Sequence, residues 1–338
     1  MAVTIKDIAK IAGVSISTVS KVINDSPTIP DTTKNRIRKI MEEQKYYPNR
    51  IARSFVQQSS NIIGIFMELK RSDAFLNPYL YEILGGIEVI AHENGYLLNL
   101  SNVSSLVNGK NALDKIVMEK RVDGLILHVA SINKSIVQKL EDLNFPYIVI
   151  GQPNFESNAC WIDINNKLAG EIATSHLLDE GYKRIAFIGG TTDDAITTKR
   201  QQGYISVLQT NGMGINKAYI KEGDSTAEDG FRLMNELLDL PKIPDSVVCA
   251  SNFIAFGAMQ AIKKKKLSVP KDIAVIGFDN YPLSQYTEPE LSVVDIDVFE
   301  LGVHAANALM NKLKNPSLQV QYNMLSPNLI VRDSSKRG

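Results

Sequence analysis

The sequence is poor in cysteine and histidine and has no long apolar run, and each shortage excludes a class of protein. Among its 338 residues are two cysteines, Cys160 and Cys249, far apart in apolar surroundings, which we interpret as reduced structural thiols. The four histidines are scattered without ligand spacing, so we expect no metal site. No run approaches the ~18 apolar residues of a membrane span, which predicts no membrane partner.

Signals for catalysis and export are missing as well. There is no G-x-S-x-G motif and no Cys/His set, and IGGTT at 188–192 lacks the G-x-G-x-x-G pattern and the Walker lysine. We therefore expect no catalytic residues, no cofactor and no enzyme activity. Lys6, Asp7 and Lys10 interrupt the first apolar stretch, which argues against an export signal and predicts a cytoplasmic protein.

Charge is unevenly distributed along the chain. Hydrophobic residues make up 44% and charged residues 22%, both ordinary for globular proteins, and the length predicts two or three domains. The formal net charge is zero, yet residues 1–60 contain ten basic and five acidic residues. Residues 1–60 are therefore basic and the rest of the chain is acidic. This distribution indicates that only the first segment has a polyanionic partner. We interpret KKKK at 263–266 as a solvated helix end.

The first 24 residues contain two short apolar stripes at helical spacing, separated by AGVS. Gly13 is suited to end the first helix and Ser15 to cap the second, which predicts a helix-turn-helix. A third helix follows, capped by Asp31 or Thr32. The alternative is a generic helical bundle with a solvated basic face.

In a helix-turn-helix the second helix enters the major groove of DNA with its first residues toward the bases. We expect Ile16, Ser17 and Lys21 to reach base edges, through methyl contact and hydrogen bonds. Polar residues around them are suited to phosphate contacts. This second set comprises Thr4, Ser15, Thr18, Ser20, Asn24 and Tyr46.

A short helix is predicted after the third one, in the segment YYPNRIARSFVQQSSN. Pro48 ends the third helix and Asn49 can cap a helix from Arg50 to Gln57. A helix of this length is not stable alone in water. We expect it to fold against a partner, and a groove lined with phosphates would serve.

From residue 62 onward, near-continuous apolar runs alternate with amphipathic helical stripes. The runs are NIIGIFM, DGLILHVA, YIVIGQ, RIAFIGG, DSVVCAS and IAVIGF, and the stripes include Leu80–Asn94, Ala169–Glu180 and Phe253–Lys265. Buried strands alternating with helices predict an α/β fold with parallel sheets flanked by helices. About a dozen elements over ~270 residues favour two similar lobes over one sheet.

These segments together resemble the lactose-repressor (LacI/GalR) family. The match comprises TIKDIAKIAGVSISTVSKVIN, YYPNRIARS, RVDGLI, GYKRIAFIGG, RQQGY, IAFGAMQAI and IAVIGFDN, and NPYLYEILGGIE is similar to maltose-type repressors. The resemblance implies a three-helix DNA-binding head at 1–48 and a hinge helix and linker at 49–60. It further implies a two-lobed type I periplasmic-binding-protein fold at 61–338. Lobe one would hold approximately 61–161 and 293–325, and lobe two 162–292 and 326–338.

The resemblance also assigns a role to the hinge. Two hinge helices of a dimer would enter the minor groove, with Ala52 at the groove-contact position and Phe55 where the family usually has a wedging leucine. A phenylalanine can still act as an apolar wedge between base pairs. The hinge residues expected at DNA are Asn49, Arg50, Ala52, Arg53 and Phe55.

Ligands of open α/β sheets bind beyond the carboxyl ends of the strands. Residues that follow the apolar runs supply amides, a carboxylate, a guanidinium and an aromatic ring, which suit a neutral polyol. The resemblance places Arg200 and Asp279 at the family's effector-binding positions. Trp161 can stack on a sugar or pack in the core. The candidate effector-binding residues are Asn77, Tyr79, Trp161, Asn165, Arg200, Ser251, Asn252 and Asp279.

The resemblance thus implies a dimeric transcriptional repressor of a pseudo-palindromic operator, controlled by a sugar such as maltose or a related glucoside. One alternative is a global carbon-control regulator acting with a phosphorylated phosphocarrier protein. Such regulators use basic residues where this chain has Asn307 and Asn311. The other alternative is a sugar-binding protein without a DNA role. Because no leucine heptads follow the last predicted strand, we expect a dimer rather than a tetramer.

Overall fold

The computed structural model of the chain describes residues 3–47, 59–67, 78–102, 106–107, 110–191, 194–318 and 322–337. The chain divides into two compact units, Met1–Asn61 and Ile62–Gly338, which we call the head and the core. None of the described helices is long and apolar enough to cross a membrane.

Residues 3–47 of the head form three helices around a small apolar centre. They are α1 (Ile5–Ala12), α2 (Ile16–Ile23) and α3 (Asp31–Glu43). Gly13 ends α1 with φ 65°, a left-handed conformation that favours glycine, and Ser15 caps α2. Ile8, Val19 and Ile37, one from each helix, are fully buried together. The predicted helix-turn-helix is confirmed.

The predicted cap of the third helix is wrong. Asp31 and Thr32 lie inside α3, and Pro30 occupies the capping position without a side-chain hydrogen bond. The carbonyl of Pro30 accepts hydrogen bonds from the N–H groups of Thr33 and Lys34. Proline provides the extended backbone that starts the helix, and Asp31 then places its negative charge in the first turn, where the helix dipole favours it.

The core begins with a first group of strands and helices. In chain order they are β1 (Ile62–Met67), α4 (Pro78–Glu93), β2 (Leu97–Asn102), β3 (Leu106–Val107), β4 (Lys110–Asn111), α5 (Ala112–Met118), β5 (Gly124–His128), α6 (Lys134–Asp142), β6 (Tyr147–Ile150) and β7 (Trp161–Ile164). The short strands β3 and β4 pair with each other in a separate antiparallel sheet.

The elements of a second sheet follow. They are α7 (Asn166–Asp179), β8 (Ile185–Gly189), α8 (Ala195–Thr210), β9 (Ile220–Glu222), α9 (Ala227–Leu238), β10 (Ser246–Cys249), α10 (Asn252–Lys264), β11 (Ala274–Phe278) and β12 (Ser292–Asp295). The chain then forms α11 (Val298–Lys314), β13 (Tyr322–Leu325) and β14 (Asn328–Ile330).

Among the described strands of the core, two six-stranded sheets define two lobes. The order in lobe one is β13-β7-β6-β5-β1-β2, with every pair parallel. The order in lobe two is β14-β12-β11-β10-β8-β9, where β14 is antiparallel to β12 and the other pairs are parallel. The predicted fold class, an α/β chain with a helical head and a two-lobed core, is confirmed.

The chain passes between the lobes three times in the core. It leaves lobe one after Ile164, returns between Asp295 and Val298, and leaves again between Leu325 and Asn328. Helix α11 belongs to lobe one, because Leu301, Ala305 and Leu309 are buried with residues of its sheet. The passages place the carboxyl ends of strands from both sheets toward one cleft. The precise boundaries of head, hinge and lobes stay predictions.

Candidate functional site

The surface of α2 presents a mixed polar and apolar face. Ile16, Ser17 and Lys21 are exposed, whereas Val19 and Val22 on the opposite side are buried against α1 and α3. Ile16 is 44% exposed, so its aliphatic surface is accessible. The three residues expected to reach base edges therefore share the accessible side of α2.

Two of the predicted phosphate contacts act as helix caps. The hydroxyl of Ser15 accepts from the Thr18 N–H at 3.1 Å and lies 2.7 Å from the Ser17 hydroxyl. The Thr4 N–H and hydroxyl both donate to Oδ2 of Asp7, at 2.9 and 2.7 Å. Asp7 and Thr4 form a capping box, so these side chains first serve to start α1 and α2.

The remaining predicted DNA contacts are more dispersed. Thr18, Ser20 and Tyr46 are half-buried, and Asn24 follows directly at the end of α2. The hinge residues Asn49, Arg50, Ala52, Arg53 and Phe55 lie outside the described residues.

An ion-pair cluster fixes the connection between α2 and α3. Asp25, with φ 51°, contacts Lys34 at 3.1 Å and accepts from Arg38 at 2.6 Å. The pKa of Asp25 is lowered below its usual value. The causes are the hydrogen bond from Lys34, the positive charge of Lys34 and the hydrogen bond from Arg38. Sequence analysis did not single out this residue.

In the core, Arg200 is the buried cation of the cleft. Arg200 is 3% exposed. Its Nε donates to Oδ1 of Asn166 at 3.0 Å, and its Nη1 donates to the carbonyl of Ala250 at 2.7 Å. The guanidinium lies 4.1 Å from the ring centroid of Phe278. These contacts hold the guanidinium plane in one orientation, as bidentate recognition requires.

Asp279 is the matching carboxylate, directly after β11. Its Oδ1 is buried without a hydrogen-bond partner among the described residues and lies 3.8 Å from Nη2 of Arg200, beyond hydrogen-bond distance. Burial raises the pKa of Asp279, and Arg200 opposes that rise. An acceptor oxygen without a hydrogen bond, beside a fixed guanidinium, is suited to bind a ligand hydroxyl.

Aromatic side chains of both lobes lie near this pair. Tyr79, in the first turn of α4, packs edge-on against His128 with ring centroids 5.9 Å apart. Burial raises the pKa of Tyr79, and the negative charges of Asp163 and Asp279 add to the effect. Burial likewise raises the pKa of Tyr281, and the charge of Asp279 adds to that rise. Asn77 lies outside the described residues.

Three predicted contacts have structural roles at the cleft. Asn165 caps α7 by accepting from Leu168, and Ser251 caps α10 by accepting from Ile254. Asn252 is 1% exposed, and its Nδ2 donates to the Asp279 carbonyl at 2.6 Å. Asn252 therefore positions Asp279.

The structure corrects the prediction that Trp161 binds the effector. It begins β7, and with Tyr147, Cys160 and Lys312 it lines a cavity of about 1150 Å³ at the amino ends of β6 and β7. Side chains at amino ends lie at the edge of a parallel sheet opposite the ligand-binding one. The ring packs beside the buried cluster that includes Val149.

Sequence analysis missed three polar residues at the cleft. Gln152 follows β6, Asp163 lies near the end of β7, and Lys199 lies in the first turns of α8. Nζ of Lys199 donates to Oε1 of Gln152 at 2.8 Å and lies 3.3 Å from Oδ2 of Asp163. The strand-end rule that found Arg200 applies equally to them, but β7 lacks a continuous apolar run and was not recognised.

Comparison with known proteins gives matches to both units. The profile described as bacterial regulatory proteins, lacI family, matches residues 4–49, and that of a periplasmic binding protein-like domain matches residues 174–335. The transcriptional repressor PurR of Histophilus somni (strain 2336) is 34% identical over 337 residues, covering 98% of this chain and 99% of the relative. The ribose operon repressor of Escherichia coli (strain K12) is 33% identical over 335 residues, covering 98% and 99%.

Solved structures agree with these matches. A lac repressor dimer bound to operator and the anti-inducer ONPF superposes with TM-score 0.84 at 25% identity, covering 100% of both chains. A complex of the transcriptional regulator CelR with cellobiose has TM-score 0.73 at 28% identity, covering 98% of this chain and 99% of the other.

A helix-turn-helix head followed by a two-lobed core with a polar cleft defines the class of ligand-responsive DNA-binding regulators. Within that class, the chain belongs to the LacI family. Its function is that of a transcriptional repressor under the control of a small molecule, not that of an enzyme.

Proposed function

We propose that this repressor binds a pseudo-palindromic operator as a dimer and that a small neutral carbohydrate controls the binding. The observation that carries the proposal is the cleft pair, with the guanidinium of Arg200 fixed and Oδ1 of Asp279 buried without a hydrogen bond from the part of the chain that the structure describes. A pair of vicinal hydroxyls can accept from the first and donate to the second. The half-buried Tyr79 offers apolar surface for the sugar ring.

Operator reading is assigned to the exposed side of α2. Ile16 offers an aliphatic surface to a thymine methyl, while Ser17 and Lys21 offer hydrogen bonds. The predicted hinge residues would add minor-groove contacts. Many phosphate contacts make such binding strongly salt-dependent.

The sugar acts by shifting a conformational equilibrium. An inducer must bind the DNA-free arrangement more tightly, and typical coupling amounts to about 1–3 kcal/mol. Movement of the lobes would alter the contact between subunits and destabilise the paired hinge helices. We place this activity in the cytoplasm, where the operator is.

The experiment is a titration of the full-length protein bound to an operator selected from genomic fragments. Ribose, cellobiose and maltose are the first sugars to add, and the comparisons with known proteins give no preference to maltose. Release of operator by one neutral sugar, with no turnover of that sugar, is the expected result. Operator affinity that stays constant across a broad sugar panel would contradict control by carbohydrate.

A matched pair of variants tests the DNA side. Lys21→Ala should weaken operator binding about tenfold or more, because it removes a base or phosphate contact. Lys39→Ala on the exposed surface of α3 removes the same charge elsewhere in the head. Equal effects of the two substitutions would show that α2 is not the reading helix.

A further inference from the structure

A polar bridge joins the two lobes at the mouth of the cleft. Lys199 belongs to lobe two, and Gln152 and Asp163 belong to lobe one. Nζ of Lys199 donates to Oε1 of Gln152 at 2.8 Å and lies 3.3 Å from Oδ2 of Asp163. Lys199 and Asp163 form an ion pair between the lobes. Every other ion pair whose two partners are both described lies within the head or within a single lobe.

The lobe-one side of this bridge is rigid. Asp163 is 8% exposed, its Oδ1 accepts from the Ile164 N–H at 2.8 Å, and its Oδ2 accepts from the Gln152 N–H at 3.1 Å. The carboxylate is therefore fixed by backbone donors of β7 and of the turn after β6. Lys199 supplies the cation that compensates this nearly buried charge.

The lobe-two side is rigid as well. Lys199 directly precedes Arg200, whose guanidinium has the buried contacts described above. Helix α8 lies against α7 so closely that a Cβ added at Gly170 would overlap the carbonyl oxygen of Arg200. The backbone that carries Lys199 therefore cannot shift without moving Arg200.

Bridge and ligand require the same separation of the lobes. A sugar held by Arg200 and Asp279 of lobe two reaches Tyr79 of lobe one only when the cleft is narrow. Asp163 acts on Tyr79 electrostatically and raises its pKa, which places the bridge beside that space. A contact of 2.8 Å between Lys199 and Gln152 likewise forms only when the two lobes are close together.

We propose that Lys199 is a positioning residue that latches the lobes at the separation needed to bind the effector. The latch is defined as Lys199, Gln152 and Asp163. It lowers the cost of closing the cleft around a ligand, so its loss weakens effector binding without removing any group from Arg200 or Asp279. The expected loss of effector affinity rests on the proposed function.

The latch is partly solvated, which limits its strength. The side chains of Lys199 and Asp163 are 26% and 11% exposed. Water and salt screen such a pair, so we expect an effect of about fivefold on effector affinity rather than a hundredfold. The effect should diminish at high ionic strength.

The first arm of the test needs no ligand. Because Cys160 and Cys249 are both buried, spin labels can be attached selectively at Met118→Cys in lobe one and Lys242→Cys in lobe two, both exposed positions. Their distance distribution in the full-length protein should broaden or lengthen on Lys199→Met and recover in Lys199→Arg. Lys217→Met removes an exposed charge of the same lobe and should change nothing.

The second arm measures binding of ribose, cellobiose and maltose by calorimetry. For whichever sugar the parent protein binds, Lys199→Met and Asp163→Asn should each weaken affinity about fivefold, and the double variant should be no worse than the more affected single one. Lys199→Arg should restore most of the affinity. If Lys199 only stabilised the fold, its replacement would lower the unfolding temperature without producing this pattern of affinities.

Each outcome decides the proposal. An unchanged distance distribution in Lys199→Met overturns the latch whatever the sugars do. A changed distribution with tighter sugar binding overturns it too, since the bridge would then oppose closure. If no sugar of a broad panel binds the parent protein, the carbohydrate effector is refuted, and the spin-label distances alone decide whether Lys199 holds the lobes.

Discussion

At the scale of single residues, small polar side chains at the starts of helices have two potential uses, and the structure separates them. Thr4, Ser15, Asn165 and Ser251 were all expected to contact DNA or effector, and all four engage helix N-termini. Capping satisfies backbone N–H groups that would otherwise lack partners. Arg200 and Asp279 differ because their side chains point at each other without pairing fully.

The fixed orientation of the Arg200 guanidinium group leads to a first prediction. The variant Arg200→Lys keeps the charge, but a single ammonium group cannot reach Asn166 and the Ala250 carbonyl together or stack on Phe278 in the same way. We expect effector affinity to fall about tenfold or more and unfolding stability to drop by about 1–3 kcal/mol. Calorimetry and chemical denaturation measure the two effects. Arg232→Lys, on the exposed side of α9, is the control.

A second prediction concerns pH and Asp25. Its pKa is lowered in the folded head by Lys34 and Arg38, so its contribution to stability is present above the unfolded value, about 4, and is lost as pH falls through the folded pKa. Asp25→Asn should therefore destabilise the head at pH 7 and have little effect near pH 2. Asparagine tolerates the positive φ at this position.

Hydrogen exchange of the segment 15–24 in the full-length protein, followed at several pH values, measures the head separately from the core. A difference between Asp25→Asn and the parent that stays constant down to low pH would show that the lost contact is not ionic.

At the scale of elements, the pairing of α7 with α8 determines where the cleft cation lies. Gly170 on α7 faces the Arg200 carbonyl, and Gly203 on α8 faces the Lys167 carbonyl. An added Cβ at either position would overlap the facing backbone, so only glycine permits this separation. Sequence periodicity predicted α7 but not α8, and it contains no information on how closely two helices approach.

A third prediction follows from that contact. Gly170→Ala should force α7 and α8 apart and cost about 1–3 kcal/mol of unfolding stability, despite alanine's better helix propensity. Effector affinity should fall as well, because Arg200 moves with its backbone. Gly214→Ala is the matched control, since an added Cβ there meets no atom within 4 Å. Unfolding curves in which both variants equal the parent would contradict close packing.

Strands were predicted unevenly for a physical reason. The buried strands β5, β6, β8, β10 and β11 have apolar runs because helices cover both faces of a parallel sheet. Edge strands such as β2, β9 and β14 are partly exposed and have mixed sequences. Their positions depend on neighbouring strands and could not be recognised from local pattern.

At the scale of the whole molecule, lobe one has an exposed apolar surface that is a candidate for the proposed dimer contact. Val89 of α4 is 41% exposed, and Leu97 and Leu100 of the adjacent edge strand β2 are 52% and 42% exposed. Exposed apolar side chains on neighbouring elements are typical of subunit contacts. We assign the proposed dimer contact to α4 and β2.

A fourth prediction tests this assignment. Val89→Glu should weaken dimerisation about tenfold or more, because a charge would be buried against its symmetric copy. Leu143→Glu replaces a side chain that is 43% exposed elsewhere in lobe one and should leave the dimer intact. Sedimentation measures both, and operator affinity should follow the dimer. Equal monomer fractions for the two variants would place the contact on another surface.

The sequence by itself determined the helix-turn-helix, the buried central strands and the α/β class, because each depends on local spacing of apolar, glycine and capping residues. The resemblance to a known family added the two-lobed arrangement. Only the tertiary structure decided which polar residues meet. It brought Lys199 to Gln152 and Asp163 across the cleft, and it placed Trp161 at the opposite edge of its sheet. Such contacts depend on strand order and helix separation, which arise from packing between distant parts of the chain and leave no local pattern.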